Sequence, residues 1–532
     1  MPFTNPFRIC RAAVVALAAS APTFATEQHN FIVLVPESLA AAVVDPMTAP
    51  ALARLRAQGV YLINSHTGFP AEELAGAAVD ALAAPERYES VRIGDPEAEA
   101  AGGSPSRESA LIQVRSKSLK DITQNVLPDL KKSGKPFLLI YKLALPVVEP
   151  PVDPGIVSPR DAKDDPPAAM LALFEADEAL ATLETALKSL ELYDTTNIVV
   201  AAEHGFSSVW KSSKSSVSLQ YPGKVRDRDT LPPGFLAIDI VDALQVQDAG
   251  VVLFDPHDDN KIVDYTSGEY PSRGDAVIAV DPDDPYATVE AYGGYDLIYL
   301  PQRISRDEAQ RRARIILNAL FEQDYVGGLF VDEARVGRVP GTLSVEHLGF
   351  RARSGRPAIV VSFSSVSADC DRPMVCTWTV ADTVQDAGET FHLATNRAVT
   401  SNFMAARGPD FQQRVVSRVP ASSADVMATV AELMGTWVIE SQPRGGRVLT
   451  EVLRGHEKDR APHVKELAIT SKMSEEGWVA EVRYQTVGKV KYFDAAGYGG
   501  WTVGIPERDG PREWRPWRWD WPFKTFEISI KP

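Results

Sequence analysis

The chain has 532 residues, 45% apolar and 24% charged, with 35 Gly and 39 Pro. This composition excludes a disordered, collagenous or coiled-coil protein, and the length allows one large domain or two to four ordinary ones. The formal charge of −16, from 55 basic and 71 acidic residues, argues against a nucleic-acid partner held by phosphate contacts.

In chain order, Arg8 and Arg11 precede an apolar stretch over 12–21, Pro22 ends it, and Thr23-Phe24-Ala25 sets small residues where a signal peptidase reads. The expectation is a signal peptide over 1–25 and an exported, periplasmic or secreted protein. The stretch falls short of the roughly 20 apolar residues that span a bilayer, and no other run is a candidate transmembrane segment. Cleavage would remove Cys10 and leave Cys370 and Cys376. In an oxidising compartment that even pair favours a local disulfide, with two buried thiols as the alternative.

Short β-branched apolar runs at 31–35, 60–63, 110–114, 137–141 and 197–201 alternate with helix-like segments, the pattern of parallel strands buried on both faces. A helix is expected from Asp165, with Pro166 and Pro167 in its first turn and Leu173, Ala176, Leu180, Leu183, Leu187 and Leu190 as one apolar stripe. A second starts at the capping box Ser305-Arg-Asp-Glu308 and should bury Ala309, Ala313, Ile316, Leu317 and Leu320. Further strands are expected at 251–254, 276–280, 297–300 and 359–363. One α/β domain over 26–440 is the reading, followed by a small β-rich C-terminal extension over 441–532 with strands at 478–484 and 489–493. The extension closes on a Trp-rich tail, 512–521, which alternation reads as a Trp-faced edge strand or a stacking platform.

Walker A, HExxH, GxSxG and zinc-ribbon spacings are absent, which removes the commonest NTPase, zincin and α/β-hydrolase readings. Acids and histidines collect instead after strands: Glu37 after 31–35, Glu73 after 60–63, Glu203 and His204 after 197–201. Parallel α/β sheets hold ligands beyond the carboxyl ends of their strands, so these side chains can converge. His66 reads as a structural hydrogen-bonding residue and His257, in an acidic segment, as part of an exposed turn.

The succession of 30–39, Asn64-Ser-His-Thr-Gly-Phe-Pro70, 134–141, the stretch ending Glu203-His204-Gly205, 293–301 and His392 to Phe411 resembles the alkaline phosphatase superfamily, in particular its type I phosphodiesterase/nucleotide pyrophosphatase-like branch. The resemblance implies an α/β core with a mostly parallel central sheet flanked by helices. It also implies two metal ions, usually zinc, and a Thr or Ser nucleophile. Carried over by position, Glu37 and Ser38 stand for an Asp and a Gly, Glu73 fills the nucleophile slot, and Ala144 stands where an Asp belongs. Glu203-His204-Gly205 matches Asp-His-Gly, and His392 matches the late histidine.

The departures decide the expectation. Without an Asp or His over 143–150, one metal site keeps only His392, and a single imidazole does not hold zinc. The other keeps Glu37, Glu203 and His204. Each Glu arm is longer than Asp by roughly 1.5 Å, against a metal–ligand tolerance of about 0.2 Å. With Glu73 added, four protein ligands would close a tetrahedral site without an open position. Without a metal, crowded carboxylates need a proton or a basic partner, for which Arg115, Lys117 and Lys142 are candidates.

The expected protein has therefore lost or strongly reduced hydrolase activity and serves in binding or interaction, with an exported partner or a phosphorylated small molecule as ligand. Its cofactor is none or a single divalent metal, zinc first. The alternative is a one-metal phosphoester or sulfoester hydrolase, with Glu37, Glu203 and His204 as ligands and Glu73 as general base. Denatured, unreduced mature protein is expected to take up no iodoacetamide on cysteine and, after reduction, to carry label on both Cys370 and Cys376; label without reduction would favour the free thiols.

Overall fold

The computed structural model describes residues 28–68, 89–93, 111–113, 118–143, 167–221, 230–246, 250–351, 355–367, 374–435 and 446–507. The expected signal peptide over 1–25, Glu73, Arg115, Lys117, Ala144, Cys370 and the Trp-rich tail lie outside these residues.

The strand Asn30–Pro36 is buried along its whole length, and its alternate side chains feed two cores. Ile32 and Leu34 face the helices Pro50–Gln58 and Pro167–Ser189, while Phe31, Val33 and Val35 face the helix Ser423–Leu433. A strand apolar at every position from Phe31 to Pro36 is what a sheet covered on both faces requires. Across its eight-stranded sheet the order is Val415–Ser417, Val60–Leu62, Met404–Arg407, Thr196–Ala201, Asn30–Pro36, Phe137–Leu143, Glu89–Ile93 and Leu111–Gln113. The five strands expected in the first part of the chain all belong to it. Met404–Arg407 runs antiparallel to both its neighbours, so the sheet is mixed rather than the mostly parallel one expected. The cause is the path of the chain: Phe403 meets Ala202 just past the end of Thr196–Ala201, so the strand that follows starts at that end and must run back.

The helix Pro167–Ser189 presents the expected stripe, with Leu173, Ala176, Leu180, Leu183 and Leu187 fully buried. Its Asp177 carboxylate accepts the Leu52 N–H at 2.8 Å, satisfying a first-turn donor of the helix Pro50–Gln58, whose own N-cap residue, Ala49, offers no side-chain acceptor. In the helix Arg306–Phe321 the Ser305 hydroxyl accepts from the Glu308 N–H, as the capping box predicts. Glu308 does not complete the box; its carboxylate is held by Arg311 and Arg312 at 2.7–2.8 Å.

A second eight-stranded sheet occupies the stretch between Thr196–Ala201 and Met404–Arg407. Its order is Lys261–Val263, Val252–Asp255, Ala276–Asp281, Asp284–Ala291, Tyr295–Tyr299, Ile359–Phe363, Val326–Val331 and Thr342–Ser344. Every pairing is antiparallel except the last. The helices Phe235–Val246 and Arg306–Phe321 cover it within one continuous core. That core also takes in Ala480, Val482, Tyr484, Phe493, Ala496 and Tyr498 from a three-stranded antiparallel sheet, Val464–Thr470, Ala480–Val487 and Val490–Tyr498. The β-rich character expected after 441 is present, with one more strand, the largely exposed Val464–Thr470. Between the two sheets a Cβ on Gly328 would stand 2.7 Å from the Gly497 Cα, so only glycine permits this backbone approach.

Two buried acids sit at the turn of the second sheet. Asp296, on Tyr295–Tyr299, is 0% exposed and Asp382 is 1% exposed. Asp382 Oδ1 accepts the Gly234 N–H at 2.6 Å, while the Oδ2 atom of each residue is buried without an ordinary donor. Burial and the facing Asp382 carboxylate push Asp296 well above the usual carboxylate range. Burial pushes Asp382 up to about 6, with Lys211 and the Gly234 N–H pulling against it. Two adjacent carboxyls in a low dielectric do not both ionise, so the pair retains a proton. The folded state then binds more protons than the unfolded chain above about pH 4, and this contribution to stability falls as the pH rises through about 6. Asp296→Asn leaves only Asp382 to titrate, so its stability should fall less with rising pH than the parent's and exceed it at pH 7; urea midpoints at several pH values test this, and parallel pH profiles for the two proteins would contradict it.

Candidate functional site

The carboxyl ends of three adjacent parallel strands, Phe137–Leu143, Asn30–Pro36 and Thr196–Ala201, form the floor of the site. Backbone pairing continues past the strands themselves: Glu37 N donates to Leu143 O at 2.9 Å, Glu203 N to Pro36 O at 2.9 Å and His204 N to Glu37 O at 3.1 Å. This ladder brings Glu37, Glu203 and His204 side by side, as their places after strands suggest. Gly205 is required next to them, because a Cβ there would lie 2.0 Å from the Ala398 carbonyl oxygen and 2.3 Å from that of Ser401. Its N–H donates to Val399 O at 2.8 Å, and this close contact fixes the segment 398–401 over the strand ends.

The register also sets Lys142 opposite Val35, one residue short of the strand end. Its Nζ lies 3.1 Å from Glu203 Oε2, and the two side chains are 19% and 2% exposed. Among the described residues Lys142 stands on a site carboxylate, while Arg115 and Lys117 lie outside them; a buried carboxylate needs such a partner. His392 follows the short strand Thr390–Phe391 and stacks on His204, with ring centroids 4.8 Å apart and 16° between planes. Burial, then His392, then Lys142 push His204 down to about 3. Burial lowers His392 too, with Glu37 opposing and Lys142 assisting. Two neutral rings can stack without charge repulsion, and the Nδ1 atom of each is buried without a hydrogen-bond partner.

A small pocket opens beside the stacked rings, walled by Thr67, Gly68, Leu393, Ala394 and Thr400. Thr67, which the sequence reading did not single out, is the hydroxyl beside His204, but it donates to the Glu203 carbonyl at 2.6 Å. Ser207, the other hydroxyl near the motif, faces Thr377 O and Thr379 Oγ1 at 3.1 and 2.6 Å inside a minor sheet. His66 is buried, with Nδ1 3.0 Å from Asn64 O and Nε2 2.7 Å from Asp494, the structural role expected of it. His257 lies 2.6 Å from Asp275 in an outer turn.

The superfamily resemblance implies a divalent metal here, and the donors can be tested for fit. Among the described residues no three His, Cys, Asp or Glu side chains form a group able to hold a metal ion, and the ammonium of Lys142 already stands against Glu203. As arranged, the described donors do not fit a divalent ion; Glu73 lies outside them.

No family model matches the chain, and no curated protein matches it in sequence. Among solved structures it is similar to murine ectonucleotide pyrophosphatase/phosphodiesterase 5, an inactive variant in complex with AMP, at 12% identity and a TM-score of 0.45. The similarity covers 80% of this chain and 100% of that one. Among the described residues no helix is long and apolar enough to cross a membrane.

Removing the Lys142 ammonium leaves Glu203 buried without that charge partner. Lys142→Ala should therefore lose about 2 kcal/mol or more, a value set below the 3–5 kcal/mol of a fully buried pair because Lys142 reaches solvent. Lys142→Met combined with Glu203→Gln should recover most of the loss. Denaturant titration of the three variants against the parent measures both effects.

Proposed function

We propose that the protein belongs to the phosphodiesterase/nucleotide pyrophosphatase-like kind of alkaline phosphatase superfamily member, is exported, and has lost or strongly reduced hydrolase activity. Its pocket then serves binding or interaction, with a phosphorylated small molecule or an exported partner as occupant. The observation that carries this reading is the ion pair between Lys142 and Glu203 at 3.1 Å, which gives a ligand-position carboxylate a structural partner. The sequence adds support, since the nucleophile slot holds Glu73 and its neighbours Ala71, Glu72 and Leu74 offer no hydroxyl.

One observation favours the alternative of a one-metal hydrolase: His204 and His392 each keep a buried Nδ1 without a hydrogen-bond partner, and a neutral imidazole nitrogen is a good ligand for zinc. In that reading Glu73 is the general base and Glu37, Glu203 and His204 hold the ion.

Metal-supplemented mature protein is expected to hydrolyse p-nitrophenyl phosphate, bis-p-nitrophenyl phosphate and a nitrophenyl sulfate no faster than buffer alone. Turnover that disappears in Glu203→Ala would establish the hydrolase instead.

A further inference from the structure

We propose that Lys142 is the resident cation of this site, supplying from the chain itself the positive charge that a metal would supply, and that it keeps divalent ions out. The strand register sets Lys142 level with Val35, so its stem rises along the sheet and delivers Nζ to Oε2 of Glu203 at 3.1 Å. Glu203 is anchored on both sides, through its N–H to Pro36 O and through its carbonyl to the Thr67 hydroxyl. The Glu203 side chain is 2% exposed, and a carboxylate so enclosed requires an opposite charge at contact distance.

An ammonium and a divalent ion compete for that position. A zinc ion bound to the same oxygen at about 2.1 Å would stand within roughly 5 Å of Nζ, where like charges repel strongly in a poorly solvated pocket. The two Nδ1 atoms left without partners on His204 and His392 are the donors such an ion would next require.

This inference rests on the reading of the pocket as a degraded catalytic centre, but the two fail separately. Ester turnover by metal-free protein would sink that reading and leave Lys142 in place; zinc held by the parent protein without turnover would sink this one alone. The experiment is zinc content by mass spectrometry after incubation with zinc sulfate and desalting, for parent, Lys142→Met, Lys142→Arg and Lys142→Met with Glu203→Gln. The parent and Lys142→Arg should retain less than about a tenth of an ion per chain, Lys142→Met several-fold more than the parent, and the double variant again almost none. Calorimetric titration of the parent with zinc provides an arm that needs no variant: absence of tight binding is expected, and a stoichiometric site abolished by Glu203→Gln overturns the proposal. Equal zinc content in the parent and a folded Lys142→Met overturns it as well. Should Lys142→Met not fold, Lys142→Gln takes its place with the same expected gain.

Discussion

A carboxylate enclosed at the end of a parallel sheet persists only beside a positive charge, and the architecture around Glu203 is arranged to meet that demand. Its N–H continues the ladder from Pro36, its carbonyl holds Thr67, and its side chain meets Lys142. The neutrality of His204 and His392 follows from the same source, because burial and the Lys142 charge both lower their affinity for protons. A change at Lys142 therefore alters the protonation preferences of two histidines that it need not touch.

Polar satisfaction elsewhere follows the same rule with different partners. Asp177 finds the first turn of a neighbouring helix. Glu184, 1% exposed, is met by Arg54 at 2.8 Å. Asp494 joins the C-terminal sheet to the body through His66 at 2.7 Å and Arg397 at 3.7 Å, which holds Asp494 down at about 2. Asp296 and Asp382 face each other instead, and they resolve the conflict with a proton. Buried charge in this molecule is thus compensated locally, element by element.

Much of the fold was legible. The run of apolar residues from Phe31 to Val35 marks a strand covered on both faces, and the leucines from Leu173 to Leu187 mark one helical stripe. Glu203-His204-Gly205 was legible through the superfamily resemblance, and the structure adds why its third residue is glycine: a Cβ there would meet the Ala398 carbonyl. The second sheet was not separable: its strands carry the same β-branched residues as the first, and apolar runs do not say whether a partner lies parallel or antiparallel. Val464–Thr470 was missed because its outward residues are polar and exposed. Lys142 was visible as a base near a strand end, but its partner lies two strands over, across Asn30–Pro36, and about sixty residues later, so the pairing belongs to register and not to local pattern. Glu73 and the stretch after Leu143 lie outside the described residues.

The shared core of the second sheet and the C-terminal strands has a consequence for biosynthesis. Strands laid down between Val252 and Phe363 keep an apolar face uncovered until Ala480 to Tyr498 arrive to seal it. During synthesis that sticky, unfinished surface stays open for a long interval, in which chaperones have an unfolded substrate to grasp. Late closure by distant strands makes completion of this core a late step in folding.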